Sequence, residues 1–220
     1  SLMMGGKLGE ALIGVLSTLI GRFHGGPGQV GVLSSTIFGG VSGSAVADAS
    51  AIGSLLIPWQ KRLGYPPAFS AATLAAAATI DILIPPSIPM VIYALVSGAS
   101  VGALFLGGVM PGVCMTILMM SVVHYIARKR NMPREEPIPL KEWPAILFRG
   151  ALPLSMPIVL LGGIYSGAFT PTEAAAVAAL HALVLAAFVF RALSWKAFWG
   201  VVLESTRSSA VITIILAGSF

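Results

Sequence analysis

Residues 100–127, 150–169 and 174–190 form three apolar runs that carry no Asp, Glu, Lys or Arg. Each is near or above the roughly 17 to 25 residues that cross a bilayer as an α-helix. A chain holding such runs must satisfy its backbone internally in lipid, which leaves helices or a closed barrel. A barrel would show short alternating segments with polar inward faces, and none is present, so the expected class is an all-α, polytopic integral membrane protein. The composition agrees: 56% of residues are hydrophobic, 10% are charged and mean hydropathy is +0.92, whereas soluble domains are roughly 25% charged.

The placement of Lys and Arg gives an expected topology, because short basic loops stay on the cytoplasmic side. The richest loop holds Arg128, Lys129, Arg130, Arg134, Lys141 and Arg149. Two further basic ends, Lys61 with Arg62 and Arg191 with Lys196, fall on the same side, while the opposite turns "SGAS" and "SGAFTPTE" hold no Lys or Arg. The net charge of +5 follows from this loop bias and calls for no nucleic-acid partner. Cys114 lies alone in an apolar run, without metal-ligand spacing, and reads as a small buried hydrophobe.

Six segments follow. Residues 1–26 read as part of a scaffold helix. Residues 27–63 read as a re-entrant helical hairpin, and 64–128 as a broken transmembrane helix with a following span. Residues 129–149 form a proline-rich cytoplasmic connector, and 150–193 two transmembrane helices. Residues 194–220 read as an amphipathic interfacial helix, with Trp195, Lys196, Trp199 and Glu204, leading into a further span. Starting at Ser1 and ending in "VITIILAGSF", the chain reads as a central part of a longer subunit, and its first residues do not resemble a cleavable signal peptide.

The hairpin follows from "GGVSGSAVADASAIG", in which an apolar segment is interrupted by Ser42, Gly43 and Ser44 and then by Asp48. Its two ends, near Arg22 and Lys61, fall on one side, and arms of about 15 residues are short for full spans. Two further breaks occur at Pro85-Pro86-Ser87, just after Asp81, and at Thr170-Pro171-Thr172-Glu173. Broken helices leave terminal N–H and C=O groups without partners, and such groups hold ions or ligand carboxylates. In secondary transporters, interrupted helices near the midplane mark the binding site. The candidate ion and substrate residues are therefore Ser42, Gly43, Ser44, Asp48, Asp81, Pro86, Ser87, Thr170, Thr172 and Glu173.

Each has a plainer reading. Ser42 and Ser44 could cap a helix–turn–helix tip, and Asp48 could complement a helix dipole. Pro85 and Pro86 could form a structural kink, Asp81 could pair with a neighbouring helix, and "TPTE" matches a capping box. An enzyme reading rests on "GVSG", a Gly-x-Ser-Gly form like that of intramembrane serine proteases, with Ser42 as nucleophile and His181 as base. His24 and His124 lie near membrane ends and read as solvated. No P-loop pattern is present, so transport energy would come from an ion gradient or another chain.

Taken together, "FGGVSGSAVADASAIGSLLIP", "GYPPAFSAATLAAAAT", "ILIPPSIPMVIYALVSGASVGALFLGGVMPG", "IARKR" and "GGIYSGAFTPTEAAAVAALHAL" resemble the large, DctM-like membrane (permease) subunit of the tripartite ATP-independent periplasmic (TRAP) transporters. The resemblance covers essentially the whole chain. It implies an elevator-type, inverted-repeat secondary transporter in a bacterial inner membrane, importing organic anions such as dicarboxylates, sialic acids or sugar acids. It also implies sodium as coupling ion, no other cofactor, a small membrane subunit and a periplasmic substrate-binding protein. Sodium would be held largely by backbone carbonyls near Ser42, Gly43 and Pro86. An elevator-type symporter working without a binding protein is the alternative. One position departs: where the family usually reads Gly-Pro before "IIPPS", this chain has Asp81 and Ile82. The extra carboxylate could alter coupling or mark another substrate.

Overall fold

The computed structural model describes residues 7–135, 139, 141–189 and 194–218. Arg191, which the topology uses, and part of the proline-rich connector lie outside the described residues. Among those described, all regular structure is helical: α1 (Lys7–Ile20), α2 (Gly26–Ser42), α3 (Ala45–Arg62), α4 (Pro67–Ala77), α5 (Ile88–Ser97), α6 (Val101–Lys129), α7 (Trp143–Tyr165), α8 (Pro171–Val184), a π-helical turn (Leu185–Val189) and α9 (Trp195–Ala217). Val101–Lys129 and Pro171–Val189 are each long and apolar enough to cross a membrane. α7, bent by 41° near residue 153, is a third candidate.

Helix α2 is the hub. It packs on α1, α3, α4, α6 and α7 and is buried along nearly its whole length. Its glycines make this possible, because in lipid, helices associate through close packing of small residues and gain little from Leu-rich burial. A Cβ at Gly28 would sit 2.8 Å from Val123, and one at Gly31 2.9 Å from Leu74. The core gathers around α2 from Leu12, Leu16, Val30, Phe38, Ile52, Leu56, Leu74 and Met156. Outward, α6 presents Leu106, Met110, Ile117 and Leu118, an apolar face suited to lipid or to a membrane neighbour; Cys114, expected to be buried, is exposed on this helix.

Helices α2 and α3 form a hairpin of 17 and 18 residues. These arms are longer than expected and reach the lower edge of spanning length. The open end is closed by buried Gln60, whose amide donates to the Pro27 carbonyl at 2.7 Å. Below that end the connector folds back. Glu135 accepts from Ser17, and its N–H donates to the Gly21 carbonyl at 3.3 Å.

Two expectations are corrected in this region and its neighbour. His24 and His124 are not solvated singly. The His124 Nδ1 lies 2.9 Å from the His24 carbonyl, and Arg134 reaches the His24 ring. Partial burial, followed by the charges of Arg134 and Arg128, holds the His24 imidazole below its ordinary pKa, so the neutral ring can accept from Arg134. The second break also begins earlier than the prolines: α4 stops at Ala77, and residues 78–87 run as successive turns, with Ile80 N–H bonding Ala77 O at 2.9 Å and Leu83 N–H bonding Ile80 O at 2.9 Å. The interfacial helix and further span expected over 194–220 form one uninterrupted helix, Trp195–Ala217.

Candidate functional site

The hairpin tip is built by one residue. Gly43 takes φ +64, the left-handed region, and its N–H donates to the Gly39 carbonyl at 3.1 Å, ending α2. This is the αL helix stop that glycine supplies without strain. Ser44 then extends the chain into α3. Neither serine caps α3 as expected: the Ser42 hydroxyl instead accepts from the Ser44 N–H at 3.2 Å, within the turn. The orphan donors of the first turn of α3 therefore have no side-chain cap.

The second break is seated directly on this tip. The Ile88 N–H, at the start of α5, donates to the Gly43 carbonyl at 3.3 Å, and a Cβ at Gly43 would lie 2.6 Å from the Pro86 carbonyl. Pro85-Pro86 is a cis peptide bond. Ser87 is fully buried, and its hydroxyl turns back to donate to the Ile82 carbonyl at 2.7 Å, leaving α5 uncapped. From α6, Gly108 lies against the Leu83 carbonyl and Met90, and Gly112 against Ile84.

Two carboxylates meet behind the tip. Asp48, in the first turn of α3, and Asp81, in the 78–87 segment, are both 0% exposed. They face each other, and Ser42 lies beside Asp48. None of the four carboxylate oxygens has a hydrogen-bond partner among the described residues. Asp81 fits only because α2 presents a glycine there: a Cβ at Gly39 would lie 2.6 Å from the Asp81 Cα and 2.8 Å from its Oδ1. An unpartnered buried carboxylate is costly, and ionisable groups retained at such positions in membrane proteins point to function.

Ser42 and Pro86 also line a half-open cavity of about 360 Å3, together with Phe38, Met156, Leu160, Ala178 and Ser205. Residues of both breaks thus meet at one cavity, whose lining is mostly apolar. The chemistry available is oxygen chemistry. No group of three or more His, Cys, Asp or Glu side chains that could hold a metal ion occurs among the described residues; the carboxylate, hydroxyl and carbonyl oxygens gathered here are the donor type that hard cations take.

The third break stands apart. Thr170, Thr172 and Glu173 are exposed, and the capping box is complete: the Thr170 N–H donates to Glu173 Oε2 at 2.8 Å, and the Glu173 N–H to Thr170 Oγ1 at 3.4 Å. Sequence reasoning missed Gly39 and Gly108, whose role depends on neighbours distant in the chain. It also missed Ser155, whose hydroxyl lies 2.8 Å from Nε2 of His181.

A helical chain with apolar spans, in which two broken segments converge on buried, unpartnered oxygens beside a cavity, has the make-up of a membrane transport protein. Over residues 1–220 the chain matches the family described as tripartite ATP-independent periplasmic transporter, DctM component, and it belongs to that family. It is 40% identical over 217 residues to the C4-dicarboxylate TRAP transporter large permease protein DctM of Pseudomonas aeruginosa, covering 99% of this chain and 51% of the relative. It is 37% identical over 217 residues to the sialic acid TRAP transporter large permease protein SiaM of Vibrio cholerae, with the same coverage. It is 35% identical over 218 residues to the 2,3-diketo-L-gulonate TRAP transporter large permease protein YiaN of Escherichia coli, again over 99% and 51%. The chain spans about half the length of these curated relatives. They are transporter permeases and not enzymes, which sets the protease reading aside; the base it required, His181, is engaged by Ser155.

Proposed function

We propose that this chain carries the first half of the ion and substrate site of a sodium-coupled importer of organic anions, working by an elevator mechanism in a bacterial inner membrane. The observation that carries the reading is the seating of Gly43 on Pro86 and Ile88. It brings the α2–α3 tip and the 78–87 break together beside the Asp48 and Asp81 carboxylates. In this reading the hairpin is re-entrant, since irregular backbone is tolerated at membrane depth only where it is buried in protein or lines a cavity. Sodium is held by carbonyls near Ser42, Gly43 and Pro86, with Asp48 close by, and the uncapped N-termini of α3 and α5 favour an anionic substrate.

The substrate class is a carboxylate, in keeping with the dicarboxylate, sialic acid and diketogulonate named for the relatives. A small membrane subunit and a periplasmic binding protein complete the transporter, as the family's tripartite description supports. The test is uptake of labelled carboxylates by the complete transporter reconstituted in vesicles, with a sodium gradient or choline in its place, and with or without the binding protein. Uptake that needs both sodium and the binding protein is the expected result. Uptake by the membrane part alone would favour a symporter independent of a binding protein, and sodium-independent uptake would sink the coupling assignment.

A further inference from the structure

At the end of the hairpin away from its tip, the α1–α2 corner gathers cations that the import reading leaves unused. The corner is locked against α6. Gly25 takes φ +77, and a Cβ there would lie 2.9 Å from the Ala127 Cβ, so His24 is held over the last turns of that helix. The His124 Nδ1–H donates to the His24 carbonyl at 2.9 Å, and the two rings meet edge to face with centroids 6.2 Å apart. From the connector, Arg134 reaches the His24 ring. Beyond partial burial, the groups that act on His24 are Arg134, Arg128 and His124. Arg128 and Arg134 are exposed, and neither forms an ion pair among the described residues. Glu135, the acid next to Arg134 in the chain, is turned to Ser17. Guanidinium groups gathered at one imidazole repel each other unless an anion joins them.

The apolar side of α6 leads to this niche. Leu118, Val122 and Tyr125 are all exposed. At helical spacing they form one stripe, and Arg128 follows three residues beyond Tyr125 on the same face. An apolar stripe that ends in a tyrosine and then an arginine suits a helix passing from the bilayer core into the headgroups.

We propose that His24, Arg128 and Arg134 form a headgroup site for an anionic phospholipid, its phosphate held by the two guanidiniums and its acyl chains laid along Leu118, Val122 and Tyr125. The forked donors of Arg match phosphate oxygens. The Lys and Arg bias of the loops puts this end at the cytoplasmic face, where the surface is anionic and basic pockets beside spanning helices take lipid headgroups. The site is independent of the transported substrate and of the coupling ion, which the import reading puts at the hairpin tip. In the empty niche Arg134, Arg128 and His124 oppose a charge on His24. A bound anion favours the charged ring, so binding should tighten as pH falls.

The experiment is native mass spectrometry of the complete transporter, stripped of lipid and titrated with phosphatidylglycerol or with phosphatidylcholine of the same chain length. At its tightest site, wild type should prefer phosphatidylglycerol by about tenfold or more, and Arg128→Gln and Arg134→Gln should each weaken that lipid by about fivefold or more while leaving phosphatidylcholine unaltered. Lys61→Gln and Arg62→Gln remove the same charge from the same end of the molecule but outside the niche, and should stay within about twofold. From about pH 7.5 to about pH 6 the wild-type affinity should rise, and His24→Gln, whose side-chain oxygen still accepts from Arg134 but does not titrate, should flatten the rise.

A wild type without preference for phosphatidylglycerol overturns the proposal. So does an equal loss in all four charge variants, which marks diffuse surface charge. Displacement of phosphatidylglycerol by millimolar inorganic phosphate, with Tyr125→Ser leaving lipid binding unaltered, would assign the niche to a free anion and overturn the lipid assignment. Weaker lipid binding in Tyr125→Ser, with inorganic phosphate failing to compete, supports it. If Arg134→Gln does not assemble, Arg128→Gln, at an exposed position without a partner, carries the same readout.

Discussion

Gly43→Val is expected to abolish transport and to lower the unfolding temperature of the assembled transporter sharply. Two effects add. At φ +64 an L-residue is strained by roughly 1–2 kcal/mol, and a β-branched one more. The new Cβ would also lie 2.6 Å from the Pro86 carbonyl, a backbone atom that cannot rotate away. Overpacking of that kind costs about 1–3 kcal/mol on its own, so a total of about 3 kcal/mol or more is expected. Gly98 provides an internal control, since its φ is +72 but no atom lies within 4 Å of the position its Cβ would take. Gly98→Ala should show strain alone, about 1 kcal/mol, and should transport. Comparing Gly43→Ala with Gly98→Ala by thermal unfolding and uptake isolates the contact between the two breaks. Equal effects would show that the seating on Pro86 contributes nothing.

Gly108→Leu should be nearly as damaging, although it lies on a different helix. A side chain there meets the Leu83 carbonyl and Met90. Met90 can repack, but the carbonyl belongs to the 78–87 segment, and displacing it moves Asp81 and Pro86 together. The expected cost is about 1–3 kcal/mol of stability, with loss of most uptake because the breaks no longer align. Gly107, one residue earlier in the same helix, faces open space with nothing within 4 Å. Gly107→Leu should leave stability within about 0.5 kcal/mol and transport intact. Similar uptake losses in both variants would point to a general disturbance of α6 and away from the break it supports.

What could be read from the sequence, and what could not, divides by the range of the interactions. Gly43 and the Pro85-Pro86 pair act on their own backbone, so the breaks were legible. The capping box from Thr170 to Glu173 is equally local, and it forms as the residue pattern indicates. The end of α4 at Ala77 was not legible, because "LAAAATI" contains no stop signal. The prolines lie several residues on, and the turns at 78–84 depend on the glycine face of α2 and on α6. The apposition of Asp48 and Asp81 joins the α2–α3 hairpin to the 78–87 break and leaves no periodic trace. The partners of His181 and His124, Ser155 and the His24 carbonyl, are likewise fixed by packing across the chain. The hairpin ends its first arm at Ser42, where the break was read, and its arms exceed the expected length at the open end, where α2 begins at Gly26 and α3 continues to Arg62 around the Gln60 to Pro27 contact.

The most direct test of the central claim, that the Gly43 turn and the Pro86 break form a ligand site within the membrane, is accessibility at the tip. Ser44→Cys in a Cys114→Ser background would be reacted with a membrane-impermeant maleimide in sealed vesicles bearing the complete transporter. Reaction with and without sodium and a transported carboxylate is then compared. The expected result is a labelling rate slowed by about tenfold or more at saturating ligand, as a site occupied only in the bound state requires. Fast labelling, unchanged by any ion or substrate, would place the turn in open water as the tip of an ordinary pair of spans, and would contradict the account.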